Sequence, residues 1–349
     1  MRIGIHPDHM WGSSYSDRWI EFLMAKNVEI VDLDLLAPDF LEQAHKCDGI
    51  MWRWFHTQDH KQSAKMILYT IDKYLGIPVF PSEEMSWHFD DKVAQYYLLK
   101  TLDAPQPDAS VFWDIEAAIS WARSAIYPTV FKLAAGAGAS NVLKVDSSAH
   151  AVQLIRKMFC EGIFPMTMNE YRGPVLPRTR REAKARVRRV ADALRYARTG
   201  DFPRLPEFWW KPEKGYVYFQ EFLPGNAFDT RVTVIGDRAF AFRRMNRPND
   251  FRASGSGNID WAPGEIDPAC LNIAFEVSER AGFQTMAYDF LYKAGKPVIC
   301  EISYTFVDTA VFNCPGHWDR QLNWHEGHMW PEEAQVEDFL AVVARAGRG

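Results

Sequence analysis

The sequence predicts a mixed architecture: an N-terminal open parallel α/β unit, followed by an α+β region built on antiparallel hairpins. Three observations carry this. Short apolar runs at 3–5, 29–33, 49–52 and 78–80 alternate with helical patterns at 17–26 and 63–75, the pattern of βαβ units around a parallel sheet. A helix over 90–102 then runs into Pro105 and Pro107, which close the first region. From Gly215 onward, strand-like runs are joined by tight turns: 231–235 with 238–243 around Gly236-Asp237, and 286–291 with 298–303 around 293–297. Each pair reads as a hairpin.

The first strand is followed by a long polar loop, 6–16, carrying His6 and His9. It falls at the carboxyl end of a strand, where open α/β sheets bind ligands, so the two histidines are either substrate contacts or plain loop residues. The strand at 128–133 contains Lys132 and runs directly into Ala134-Ala135-Gly136-Ala137-Gly138-Ala139-Ser140. A glycine-rich turn lets backbone N–H groups approach anionic oxygens. Between 172 and 204 the chain carries eleven Lys or Arg against Glu182, Asp192 and Asp201. This reads as a basic helix over 178–198, either solvated or facing an anionic polymer, membrane surface or partner.

Composition sets the class. The 349 residues are 47% hydrophobic and 24% charged, as in globular proteins that bury a full core. Five cysteines without paired spacing indicate neither a disulfide framework nor a zinc knuckle, and a net charge of −5 argues against wholesale nucleic-acid binding. The first residues are too short for a secretory signal, and no apolar run nears the ~18 residues of a membrane span. The expected location is cytoplasmic. Aromatic residues, including 13 Trp and 23 Phe, make up 14%, enough to line a sugar or base pocket as well as a core. His317, His325 and His328 lack partners at zinc spacing, so aromatic packing is expected for the tail.

The chemistry concentrates in the last hairpin. With a three-residue loop, Asp289 lies opposite Glu301, Cβ atoms roughly 5 Å apart, and Ser303 shares their face because strand side chains alternate. Two carboxylates that close destabilise one another unless a cation intervenes. Mg2+ is the natural one, since it takes hard oxygen ligands together with nucleotide phosphates; the alternative is a solvated hairpin face.

The order of motifs resembles the ATP-grasp superfamily. It runs through Asp91-Lys92, Lys132, the loop 136–140, Gln220-Glu221-Phe222-Leu223-Pro224-Gly225, Asp229-Thr230-Arg231, the segment 249–255 with Asp250-Phe251-Arg252, Asp289, and Glu301-Ile302-Ser303. The pattern is similar to that of ribosomal-protein glutamate ligases and related carboxylate-amine ligases. It is also similar to uncharacterised ATP-grasp proteins of bacterial surface-polysaccharide synthesis, through segments like 86–92 and 249–257. The resemblance covers about 88–310 and implies a two-lobed ATP-grasp fold after the α/β unit. The implied division is an N-terminal domain over 1–87, a small lobe over 88–216 with the basic insertion at 172–204, a large lobe over 217–312, and a tail over 313–349.

It also implies residue roles. Lys92 and Lys132 match the lysines on the α- and β-phosphates, while Gly136, Gly138 and Ser140 match the loop capping the β- and γ-phosphates. Gln220 and Glu221, with the backbone of Phe222 and Leu223, correspond to the adenine-reading segment, and Asp229 to the ribose contact. Arg252 matches the arginine spanning γ-phosphate and reacting carboxylate, with Arg231 or Arg244 as further charge stabilisers. Asp289, Glu301 and Ser303 occupy the metal positions, Ser303 where the family usually has asparagine. The implied cofactors are ATP and Mg2+, with Mn2+ as an alternative metal, and the implied substrates are a small carboxylate and an amine, with a sugar acid as one candidate. A kinase on the same scaffold and a nucleotide-binding module without turnover are the competing readings. By strand alternation only one of Arg243 and Arg244 faces the site.

Overall fold

The computed structural model describes residues 1–8, 14–136, 141–165, 212–247, 250–253 and 255–347. The basic segment 178–198, His9, Gly138, Ser140 and Asn249 lie outside the described residues. Elements are numbered in chain order over the described residues. The chain divides into two compact units, one of residues 1–56, 60–109 and 223–349, the other of 57–59 and 110–222.

In the first unit, β1 (Arg2–Ile5), β2 (Glu29–Asp32), β3 (Gly49–Met51) and β4 (Val79–Phe80) form a parallel sheet in the order β2-β1-β3-β4. Helices α1 (Tyr15–Ala25), α2 (Phe40–Ala44), α3 (Gln58–Thr70) and α4 (Glu83–Ser86) accompany it. The sheet is apolar where it must be: Ile3, Ile5, Ile50 and Met51 are buried. Asp8 caps α1 through the Ser16 and Tyr15 N–H groups, at 2.9 and 3.3 Å. His6 Nδ1 lies 3.2 Å from the Leu33 carbonyl and 3.1 Å from the Leu35 N–H.

Next come α5 (Lys92–Thr101), β5 (Ala109–Phe112), α6 (Ile115–Ser124), β6 (Thr129–Lys132), β7 (Val142–Val145), α7 (Ser148–Cys160) and β8 (Val217–Glu221). Strands β5, β8, β6 and β7, in that order, make the sheet of the second unit, with β6 antiparallel to both neighbours.

The chain then returns to the first unit as β9 (Phe228–Ile235), β10 (Arg238–Met245), β11 (Ile259–Asp260), α8 (Pro268–Ala281), β12 (Thr285–Lys293) and β13 (Lys296–Ser303). After them come α9 (Asp308–Phe312), β14 (Gly316–Trp318), β15 (Trp324–Glu326) and α10 (Pro331–Ala346). The antiparallel sheet runs β13-β12-β9-β10-β14-β15, with β11 beside β10. The tail is therefore structural. Its α10 packs on α1, where Trp19 Nε1 donates to Gln335 Oε1 at 2.9 Å. Gly49 lets α10 approach β3 as well, because a Cβ there would fall 2.5 Å from Val343 Cγ2. Among the described residues no helix is long and apolar enough to cross a membrane.

Candidate active site

Asp289 and Glu301 are directly opposed across β12 and β13, and Ser303 opposes Ala287. The route differs from the expected three-residue loop. Lys293 pairs with Lys296, leaving a two-residue turn, Ala294 (φ 48°) and Gly295 (φ 76°), the left-handed pair of a tight hairpin. Continued without interruption, that register sets Cys300 against Asp289. A β-bulge intervenes: Phe290 pairs with Ile299 and Asp289 with Glu301, so Cys300 is the extra residue and Glu301 moves into place.

Asp289 also faces Arg231 on β9, and Asp229, two residues before it, faces Arg244 on β10. Residues opposed or two apart share a face, so these four charges form one lattice. Arg231 donates through Nε and Nη2 to the Asp289 oxygens at 2.7 and 2.8 Å. Arg244 grips Asp229 the same way, at 2.7 and 2.6 Å, and its Nη2 also lies 2.7 Å from Asp289 Oδ2. Asp229, Arg244 and Asp289 are all buried. Burial pushes the Asp289 carboxyl up, but the Arg231 and Arg244 guanidiniums more than reverse this and hold it well below the usual carboxylate range. Asp229 moves upward, driven by burial and then by the Asp289 charge, with Arg244 opposing. Arg243, on the other face, is taken up by Asp260 at 2.5 Å and Glu265 at 2.8 Å.

Lys92, the first residue of α5, reaches Glu301 Oε1 at 3.2 Å. Its helix starts there because Asp91 caps it, Oδ1 accepting from the Val93 and Ala94 N–H groups at 3.1 and 3.0 Å. Gln95 on the next turn accepts from the Ile302 N–H at 3.4 Å, tying α5 to β13. The Ser303 hydroxyl donates to the Thr305 carbonyl at 2.7 Å. Arg252 folds its fork onto Asp250, with Nε–Oδ1 2.9 Å and Nη2–Oδ2 2.7 Å.

The donor set fits a hard cation. Among the described residues Glu301 Oε2 has no partner, and Asp289 Oδ1 accepts one hydrogen bond, from Arg231, so each has a lone pair to offer. Among the described residues no group of three or more His, Cys, Asp or Glu could hold a metal. Two carboxylate residues completed by phosphate and water are how Mg2+ is commonly held.

In the second unit Lys132 on β6 is buried and opposes Tyr218, while Gln220 opposes Val130, which puts all three polar side chains on one sheet face. Gln220 Nε2 donates to Tyr218 Oη at 3.1 Å, and its carbonyl accepts from Thr129 Oγ1 at 2.7 Å. Glu221 ends β8, and Lys144 Nζ lies 5.0 Å from the Phe222 ring. Gly136 has φ 122° and touches the Asn141 carboxamide so closely that any Cβ would overlap it. Sequence reasoning missed Glu213, whose carboxylate accepts from the Ala134 and Ala135 N–H groups at 2.9 and 3.0 Å at the base of this loop. No local signal pointed to it, because the partners are almost eighty residues apart.

No family model matches the chain, and no curated protein matches its sequence. Solved structures do match. A RimK-domain ATP-grasp protein from Sphaerobacter thermophilus aligns over 98% of this chain and 100% of its own at 17% identity and TM-score 0.51. A D-alanine–D-alanine ligase from Bacillus anthracis aligns over 100% and 99% at 13% identity and TM-score 0.55. The ATP-grasp ligase PsnB, complexed with a minimal precursor, aligns over 97% of each chain at 15% identity and TM-score 0.54. Near-complete coverage in both directions, together with the parallel N-terminal sheet and the antiparallel sheets that follow it, identifies the architecture: this chain has the ATP-grasp fold.

Proposed function

We propose that the protein is an ATP- and Mg2+-dependent ligase that joins a carboxylate to an amine. The observation that carries this is the opposed Asp289–Glu301 pair with lone pairs left for a cation, on a fold whose solved examples include ligases. In this reading a substrate carboxylate takes the γ-phosphoryl group of ATP, and the amine then displaces phosphate to leave an amide.

Asp289 and Glu301 hold the metal, with Ser303 acting through water. The metal, when bound, neutralises charge on the phosphate oxygens. Arg231 and Arg244 fix the Asp289 carboxylate in its charged form and add positive charge where phosphoryl charge develops. Arg252, once released from Asp250, bridges γ-phosphate and substrate carboxylate with its planar fork. Lys92 is positioned by Glu301, and Lys132 projects from β6; both serve as phosphate point charges. Gly136, Gly138 and Ser140 supply the loop over the phosphates. Gln220 and Glu221 with Phe222 and Leu223 read the base, and Asp229, if Arg244 shares it, the ribose. Among acids, a uronic or other sugar acid is the candidate the sequence resemblance supplies.

Calorimetric titration of ATP with Mg2+ into wild type and Glu301→Ala tests this. Metal-dependent binding in the wild type, lost in the variant, followed by ADP release that needs both an acid and an amine, is expected. A folded wild type that binds no Mg·ATP refutes the reading, and ADP release with a stable phosphate ester and no amine requirement replaces it with a kinase.

A further inference from the structure

The two acids of the candidate metal site already have counter-charges. Asp289 lies in the bidentate grip of Arg231 and 2.7 Å from Arg244 Nη2. Arg244 is shared with Asp229, and Glu301 has Lys92 at 3.2 Å. Asp229, Asp289 and Glu301 thus stand against Arg231, Arg244 and Lys92, and the group carries no net charge. Oxygen sites for divalent cations owe their affinity largely to the charge of their ligands, and Mg2+ gives up its water reluctantly. A dication arriving alone would leave this group with its two positive charges uncompensated in partly buried surroundings, where such charges interact strongly. A nucleotide polyphosphate brings the negative charge that the side chains have neutralised among themselves.

The three cations are not equally fixed. The two guanidinium forks hold their carboxylates at two points each, at 2.6 to 2.8 Å, a planar geometry that resists rearrangement. Lys92 is a point charge on a flexible stem, and its contact with Glu301 is longer, at 3.2 Å. The Lys92 side chain is 5% exposed and that of Glu301 35%. A buried ammonium needs an anion beside it, and a phosphate oxygen meets that need as well as a carboxylate. The backbone under Lys92 has no need to move with it. Asp91 caps α5, and Gln95 ties the helix to the Ile302 N–H on β13, so only the side chain has to change partner.

We propose that Lys92 is the counter-ion that keeps a divalent cation off the Asp289–Glu301 pair until a nucleotide polyphosphate takes the lysine over. Before nucleotide binds, Lys92 neutralises Glu301 and the pair does not retain a metal. When polyphosphate arrives, Lys92 turns to it, and the carboxylate so released is free to hold the cation. Metal loading is in this way coupled to the nucleotide by one side chain. Removing the Lys92 charge converts the pair into a site that binds a divalent cation with no nucleotide present. The handover to polyphosphate rests on the function proposed above; the exclusion of the cation by Lys92 rests on the charges alone.

The test titrates Mn2+ into the full chain without nucleotide, read by the loss of the free Mn2+ electron paramagnetic resonance signal. Wild type is compared with Lys92→Met, Lys92→Arg and Lys92→Met/Glu301→Gln, with Lys92→Gln in place of Lys92→Met if the latter does not melt cooperatively. Binding of Mg·ATP to the wild type is measured in parallel by calorimetry. Lys92→Met should bind Mn2+ about tenfold or more tightly than wild type. Lys92→Arg, which keeps the charge, should match wild type, and adding Glu301→Gln to Lys92→Met should abolish the gain. Equal Mn2+ affinity in wild type and Lys92→Met, the same gain in Lys92→Arg, or a gain that survives Glu301→Gln each overturns the proposal. If the wild type binds Mg·ATP in any of those cases, the ligase reading stands without it. A gain in Lys92→Met, lost with Glu301, in a protein whose wild type binds no Mg·ATP supports the exclusion by Lys92 and removes the handover together with the ligase reading.

Discussion

Replacing Arg244 with leucine tests the charge lattice beneath the site. The guanidinium makes three short contacts, two to Asp229 at 2.7 and 2.6 Å and one to Asp289 at 2.7 Å. Asp289 keeps the bidentate grip of Arg231, but Asp229 is left buried with no cation bonded to it. Removing one member of a buried pair costs about 3–5 kcal/mol, mostly because the remaining charge is uncompensated. Arg244→Leu is therefore expected to lose about 3–5 kcal/mol at pH 7 in urea denaturation followed by tryptophan fluorescence. Removing the stranded charge as well, in Arg244→Leu/Asp229→Leu, should recover at least about 2 kcal/mol of it. The pH dependence has a definite sign. Without Arg244, burial raises the Asp229 pKa further above its unfolded value, so the variant loses stability as pH rises from the unfolded pKa through the folded one. Its deficit against wild type should be smaller at pH 4 than at pH 7. A single substitution costing under about 1 kcal/mol, or a double variant no more stable than the single, would show that Asp229 does not depend on Arg244 for its charge.

Glu332 predicts the same sign in the wild type. Burial pushes its carboxyl from the usual 4.5 up to about 8, so the folded protein holds a proton there that the unfolded chain releases. Stability should fall as pH rises from 4.5 to about 8, by at most about 5 kcal/mol; Glu332→Gln should remove that slope, gaining over wild type at pH 8 and nothing at pH 4.5. Glu301→Gln, at a residue partly exposed and bonded among the described residues only to Lys92, should melt within about 1 kcal/mol of wild type yet lose Mg2+-dependent ATP turnover, and retained turnover would remove Glu301 from the metal set. Asp91→Ala strips the cap from α5 and should cost about 1 kcal/mol; no loss in thermal melting would mean that tertiary packing alone holds the Lys92 helix in place.

What could be read from the sequence was what local periodicity determines. Alternating apolar runs located the four parallel strands, and the period of two placed Asp289 and Glu301 on one face. Strand neighbours separated by long stretches of chain were not legible. Nothing near Asp289 indicates that β9 lies beside β12, and without that pairing the Arg231 and Arg244 contacts cannot be foreseen. The bulge at Cys300 escaped for a different reason, since a bulged residue has the same side-chain chemistry as a paired one. The tail, expected only to pack its aromatics, adds two strands to the sheet and a helix against α1, because its alternation is too short and too polar to read as strand.

The hairpin of β12 and β13 counts in twos. Its turn is one residue shorter than direct opposition of the two acids requires, and the bulge at Cys300 restores the difference. Insertions or deletions between Asp289 and Glu301 thus differ by where they fall. A residue gained or lost in the turn can be absorbed there with the pairing of the two acids kept, whereas a single residue gained or lost within either paired strand, unless a bulge is gained or lost with it, turns Glu301 and Ser303 to the opposite side while leaving every residue of the site in the chain. Among homologous chains, length variation here should therefore concentrate at the turn, and an uncompensated single step within a strand should mark a protein that has parted with the site.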